Sequence, residues 1–427
     1  MSNIMIVPVP LFNKTMSVEA YRLDYQKENE LLNSIHSTTM FDGAAISPAL
    51  EILNAAGIEA FTIEQPVFVP VSSIMLLGDL AAQCTQSPNK VVFLFTSDLK
   101  PEEPYLCKLK ELKKKGFRIA FYDLYDLQNS APIFHLGDYI FLNVEQLGEA
   151  VFTRYVDAIG LAFRNLSIIA TEINTFESFR SSHITGVSLF EGPFYRLPIT
   201  AGQSEVSPLK ANLIRLLNIV RDENFEFNVV SDIVQRDTAL TISLMRLINS
   251  PYIGLSQKVK TINHAVTILG QDEVRKWVTM SVSRLLGTDK PNEVTKLSLI
   301  RAKYAENLAP LFNMKQDSQG LFLMGLFSVL DIILEVSMQK AFESVKVSDE
   351  IFECLVEGTG SYFKVLDFMR RYEAADWPSV SHAMVLYDIS LEDVYRAYID
   401  AISWYSDLIL DEVRPNRKSE QLQEDPL

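Results

Sequence analysis

Residues 209–287 read LKANLIRLLNIVRDENFEFNVVSDIVQRDTALTISLMRLINSPYIGLSQKVKTINHAVTILGQDEVRKWVTMSVSRLLG. Leu209, Leu213, Leu216, Leu217 and Val220 recur at spacings of 3 and 4, which predicts one apolar face of a helix. Asn228 is expected to cap a short second helix, because its side chain can accept from an orphan N–H. Asp237 is expected to cap a third, with Leu240, Leu244, Leu247 and Ile248 facing inward. Ser250-Pro251 ends it, since proline has no N–H and crowds the preceding turn. Asn263 is the expected cap of a fourth helix that stops at Gly270, a common residue just past a helix end. Gln271-Asp272 opens a fifth, with Val274, Trp277, Val278, Val282 and Leu285 as its core stripe, and Gly287 closes it.

Within this stretch, LMRLINSPYIGLSQKVKTINHAVTILGQDEVRKW (residues 244–277) resembles the HDOD domains of bacterial signalling proteins. HDOD domains are similar in fold to the HD-type metal phosphohydrolases, which hold metal through His and an adjacent His-Asp pair. The histidines here are His36, His135, His183, His264 and His382, and none is followed by Asp. The resemblance therefore implies a helical module without hydrolase chemistry. His264 has no spaced ligand partner and reads as a structural histidine. Trp277 reads as packing. The connector at residues 249–262, NSPYIGLSQKVKTI, joins two helices and carries Asn249, Tyr252, Lys258 and Lys260 as candidates for binding a partner. Loops on rigid scaffolds often bind, and aromatic anchors commonly dominate interface energies. The competing reading tucks Tyr252 and Ile253 into the bundle.

The chain of 427 residues is long enough for two or three domains, and its 48% hydrophobic content supports sizeable cores. Net charge is −15, spread unevenly. There are 15 basic against 22 acidic residues in 1–200, 10 against 8 in 201–286, and 14 against 24 beyond. No strong basic patch stands out, which argues against nucleic acid as a partner. Cys84, Cys107 and Cys354 fit neither a disulfide framework nor a CxxC metal site, and read as free thiols of a reducing cytosol. The start, MSNIMIVPVP, lacks the basic residues and long apolar core of a signal peptide. The apolar run at 320–330 is too short to span a bilayer. These features predict a cytoplasmic protein without a membrane segment.

Residues 1–200 alternate strand and helix patterns. Strands are expected at 4–9, 17–23, 66–71, 91–96, 117–123, 138–144, 166–172 and 187–190. Helices are expected at 47–56, 104–115, 151–163 and 175–183. Repeated strand–helix units imply parallel pairing and, at this count, a barrel. Residues 197–208, LPITAGQSEVSP, read as a linker, and each flank carries its own apolar periods. A cut there is expected to leave two folded pieces. Beyond 287, helices are expected at 293–312, 321–338, 349–357, 362–374 and 391–410, with a disordered tail at 412–427.

VPVPLFNKTMSVEAYRL, LKELKKKGFRIAFYDL, GDYIFLNV, IIATEINT and FEGPFYRLP, spread over residues 7–198, resemble the EAL domains that open cyclic di-GMP. EAL followed by HDOD is a bacterial domain order, and MGLFSVLDIIL with SDEIFECL resembles the helical extension found with it. The EAL resemblance implies two divalent metals held by acidic and amide side chains at the strand ends, where they activate a water. Glu19 matches the family's name-giving Glu, with Tyr21 where Leu is usual. Asp123 matches the second of its paired Asp residues, and Tyr122 replaces the first. Pro70, Leu94, Phe141 and Asn143 stand where Asn, Glu, Lys and Asp are expected. Thr171 and Asn174 fill the two acid positions of the next motif, where a one-residue slip would restore only Glu172.

The expected architecture is therefore α/β plus all-α. A degenerate EAL-like TIM-type (β/α) barrel at 1–200 is followed at 201–411 by an HDOD (HD-related) helical bundle with its extension. The expected function is non-enzymatic signalling through protein–protein interaction, with no cofactor, no bound metal, and Glu19 and Asp123 as site remnants. The partner is an unidentified signalling protein, and a homodimer is left open. The alternatives are a cyclic di-GMP receptor without turnover, which phosphate donors lining the mouth would favour, or a weak phosphodiesterase using Glu19 and Asp123.

Overall fold

A computed structural model describes residues 4–27, 47–62, 64–96, 98–184, 186–196, 208–220, 222, 224–248, 259, 261–286, 292–345 and 347–413. Contacts divide the chain into two units. One comprises Met1–Leu197, Pro310–Lys315 and Asp367–Ser403; the other comprises Pro198–Ala309, Gln316–Leu366 and Trp404–Leu427. This corrects the simple division into 1–200 and 201–411, because the chain returns to the first unit twice. The expected linker, from 197 through 207, lies outside the described residues, as does the expected tail from 414 on.

The first unit is built on a closed barrel of β1 (Ile4–Phe12), β2 (Val18–Lys27), β3 (Val67–Val71), β4 (Val91–Phe95), β5 (Arg118–Tyr122), β6 (Tyr139–Asn143), β7 (Ser167–Thr171) and β8 (Leu189–Glu191), paired in chain order. β1 is antiparallel to both of its neighbours, and β2 through β8 are parallel to one another. Helices Pro48–Ala56, Glu103–Lys114, Glu149–Ala162 and Phe176–Ile184 lie between the strands in sequence. Strands such as VVFLF of β4 are buried throughout, as strands covered on both faces must be. Alternate residues point inward. Leu11, Ala20, Phe68, Val92, Leu94, Ala120, Phe141, Ile169 and Leu189 form the interior, with Tyr122 and Tyr139 packed against them.

The barrel has one short seam. β8 pairs with β1 only at Leu11 and Phe12, which leaves the backbone of Ile6 without a strand partner on that side. Tyr372, from helix Phe363–Glu373, fills this place: its hydroxyl donates to Ile6 O at 3.1 Å and accepts from Ile6 N at 3.3 Å. Around it Tyr372 packs on Tyr398 and Trp377, and Glu373 pairs with Arg196 at 3.4 Å. Phe312, from the other returning segment, packs on Phe368 and Tyr387. Helix Trp377–Tyr387, which supplies Trp377, was absent from the sequence expectation.

The second unit is helical. Helices Pro208–Val220, Phe227–Gln235, Thr238–Ile248, Ile262–Leu286 and Asn292–Leu308 follow the expected periods. Val274, Trp277, Val278 and Val282 are buried, and Trp277 Nε1 donates to Ser243 Oγ at 3.2 Å, so this residue packs. Asp237 caps as expected, accepting from Leu240 N at 3.0 Å. Asn228 and Asn263 do not cap: each lies inside its helix, and Thr261 Oγ1 accepts from His264 N instead. The expected helix at 321–338 is broken into Ser318–Phe327 and Leu330–Leu334, which ends on the left-handed Glu335. Helix Ser318–Phe327 approaches the backbone of Arg301 at Gly325, where any Cβ would collide with it.

Candidate functional site

The carboxyl ends of the parallel strands gather the polar side chains that could do chemistry. Because Phe68, Leu94, Phe141 and Ile169 face inward, the strand period of two turns Pro70, Asn143 and Thr171 inward as well. Leu94 and Phe141 are buried and offer no ligand atom, and Tyr122 stacks on Phe141 at 5.3 Å. Phe141 also meets Phe68 edge-on at 5.3 Å. The Asn143 side chain accepts from Gln146 N at 2.9 Å, capping the short helix that follows. Asn174 Nδ2 donates to Glu145 at 3.1 Å. Thr171 is fully buried, and its hydroxyl has no hydrogen-bond partner among the described residues.

The two carboxylates matched from sequence are not brought together. Glu19 sits in a β-bulge: Leu11 pairs with Ala20 and Phe12 with Val18, so Glu19 has no cross-strand partner. A bulge turns its extra residue out of the alternation. Glu19 is exposed and accepts from Asn13 Nδ2 at 2.7 Å in the hairpin turn. Asp123 follows β5 with a left-handed backbone (φ 52) and accepts from the Tyr125 hydroxyl at 2.6 Å. Burial raises its pKa, and the Tyr125 bond works against that rise. Glu172 follows β7 with φ 58, and burial, then the Glu191 and Glu145 charges, raise its pKa too.

The inward residue of β2 is Arg22. Its guanidinium grips Glu191 of β8 twice, Nε to Oε2 at 2.8 Å and Nη2 to Oε1 at 2.9 Å. Nη1 reaches Asp24 Oδ2 at 2.9 Å, and Trp377 Nε1 donates to Asp24 Oδ1 at 3.3 Å. The guanidinium also lies 5.7 Å from the centre of the Tyr122 ring. Burial opposes its charge, but Glu191 and Asp24 more than offset this and hold its pKa above the ordinary range. Sequence reasoning missed this group. The available signal was the strand period: Ala20, Arg22 and Asp24 alternate on one face, and Glu19 does not belong to it.

His264 is exposed. Asn249, Tyr252, Lys258 and Lys260 lie outside the described residues. Among the described residues, no group of three or more His, Cys, Asp or Glu side chains could hold a metal ion, and no helix is long and apolar enough to cross a membrane.

The HDOD domain profile matches residues 206–350. The uncharacterized protein YuxH of Bacillus subtilis (strain 168) is 25% identical over 406 residues, covering 94% of this chain and 97% of that protein. The cyclic di-GMP phosphodiesterase CdgJ of Vibrio cholerae is 30% identical over 240 residues, 56% of each chain. Among solved structures, an EAL domain protein from Listeria monocytogenes EGD-e aligns at 11% identity and a TM-score of 0.35, over 45% of this chain and 87% of that one. Residues 206–350 thus carry the HDOD domain, in one chain with a closed eight-stranded barrel.

Proposed function

We propose that this chain is a non-enzymatic signalling protein that acts through protein–protein contacts, its barrel serving as a scaffold rather than a phosphodiesterase. The observation that carries this reading is the side-chain inventory of the barrel mouth. Two-metal hydrolysis needs oxygen ligands converging on both ions, because divalent magnesium, manganese and calcium are bound through oxygen. The inward positions hold Pro70, Leu94, Tyr122 and Phe141, Asn143 is used as a helix cap, and Arg22 carries positive charge into the same space. These residues do not fit a metal pair. The same closure disfavours a receptor for cyclic di-GMP, since the Arg22 donors already serve Glu191 and Asp24. The HDOD domain is left as the part that docks a signalling partner.

Incubation with cyclic di-GMP and Mg²⁺ or Mn²⁺, followed by chromatography, is expected to yield no linear dinucleotide; metal-dependent turnover would sink this reading. Calorimetry is expected to detect no tight binding. A dissociation constant near ~1 µM or below, about −8 kcal/mol, would favour the receptor instead. Capture from native cells with the full chain should return a protein partner, and that recovery should survive Asp123→Asn.

A further inference from the structure

We infer that Arg22 is a built-in cation of the barrel mouth: its guanidinium balances Glu191 and Asp24 in place of a divalent ion and thereby makes the mouth indifferent to such ions. The inference rests on the reading of the barrel as non-hydrolytic and adds a positive device to it.

The geometry accounts for every carboxylate oxygen of the cluster. Both oxygens of Glu191 accept from Arg22, at 2.8 and 2.9 Å. One oxygen of Asp24 accepts from Arg22 at 2.9 Å and the other from Trp377 at 3.3 Å. A cation seeking these oxygens has to break a bidentate arginine–carboxylate pair, among the strongest polar contacts a protein makes. Glu191 is only 5% exposed, so it cannot simply turn to water when its partner is displaced. Arginine does not deprotonate in proteins, so the charge is present at every working pH. The two nearby acids feel the Glu191 charge but make no hydrogen bond to the cluster: Asp123 is bonded to Tyr125, and Glu172 is exposed beyond the end of β7.

A merely structural ion pair and a built-in cation differ in one respect. Only the second predicts that removing the positive charge opens a place for a metal. Arg22→Glu sets a third carboxylate between Glu191 and Asp24, giving three acids where the guanidinium stood. Like charges so crowded favour either protonation or a counter-ion.

The test uses the full chain, stripped with chelator, in thermal unfolding with Mn²⁺ as the probe and NaCl at matched ionic strength as the control. Wild type and Arg22→Lys, which keeps a cation, are expected to melt at the same temperature with or without Mn²⁺. Arg22→Glu is expected to gain several degrees at about 10 mM Mn²⁺ through linkage, reversed by chelator. If Arg22→Glu is unfolded in chelator by circular dichroism, recovery of the fold on adding Mn²⁺ supports the inference equally. A Mn²⁺ response in wild type or in Arg22→Lys overturns it. So does a folded Arg22→Glu that ignores Mn²⁺, or an unfolded one that Mn²⁺ does not rescue. None of these readouts involves cyclic di-GMP. Turnover by wild type would therefore remove the non-hydrolytic reading, whereas Mn²⁺ binding without turnover would remove only the role of Arg22.

Discussion

Asp123 and Glu172 each follow a barrel strand directly, and each holds a left-handed backbone, at φ 52 and 58. For residues with a Cβ that conformation costs roughly 1–2 kcal/mol. Both carboxylates have their pKa raised, chiefly by burial. A raised carboxylate pKa means the folded state holds its proton more tightly than the unfolded state. Each group's contribution to stability is therefore present below the ordinary value of about 4 and is lost as pH rises through the folded value. Asp123→Asn and Glu172→Gln remove this loss. Their melting temperatures relative to wild type are expected to improve steadily from acid to neutral pH, modestly because both groups remain partly in water. A difference that stays flat with pH would refute the assignment. Neither the backbone strain nor the burial was legible in the sequence. FYDLYD shows an acid after a strand, and only the neighbours that crowd it alter its charge.

At the scale of elements, local signals were read correctly where the chemistry is local. Asp237 lies directly before helix Thr238–Ile248 and caps it. Gly270 breaks helix Ile262–Leu286 with φ 76 and ψ 169, as its glycine foretold. That region of backbone space is essentially closed to side chains. A Cβ at Gly270 would meet nothing within 4 Å, so Gly270→Ala isolates the backbone effect. It is expected to cost about 1–3 kcal/mol in urea unfolding, with no change in the far-ultraviolet spectrum of the folded state. A neutral Gly270→Ala would mean the helix runs straight in solution. The misread caps failed for a related reason. Asn228 and Asn263 have the right side chain, but the helices begin at Phe227 and Ile262, so the capping positions fall two residues earlier, at Glu226 and Thr261. Glu19 failed because it is itself the extra residue of a bulge in β2, turned out of the alternation that sends Ala20, Arg22 and Asp24 inward.

At the scale of the whole molecule, the barrel depends on chain far from it in sequence. Tyr372 supplies both hydrogen bonds that Ile6 lacks along the β1–β8 seam. Tyr372→Phe keeps the ring and leaves a buried N–H and C=O unpaired, for an expected loss of about 1–3 kcal/mol. Proteolytic cleavage within residues 197–208 was expected from sequence to release two independent pieces. With Asp367–Ser403 belonging to the barrel unit, the cut pieces are now expected to co-elute in gel filtration and to part only in denaturant. A barrel fragment ending near residue 196 that elutes alone and folded would contradict this dependence.

Sequence by itself determined the barrel strands and most of the helices, though not helix Trp377–Tyr387 or the break after Phe327. A strand's alternation and a helix's three-and-four spacing are written in adjacent residues, so eight strands and the helical periods of residues 208–286 could be read directly, while Leu94, Tyr122 and Phe141 stood out only against the EAL resemblance. Only the tertiary structure decided which distant residues meet. Arg22 and Glu191 are 169 positions apart, and Ile6 and Tyr372 are 366 apart. The first pair forms because the sheet closes on itself, and the second because the chain returns to a seam that β8 is too short to cover. Neither event leaves any pattern in the residues flanking either partner.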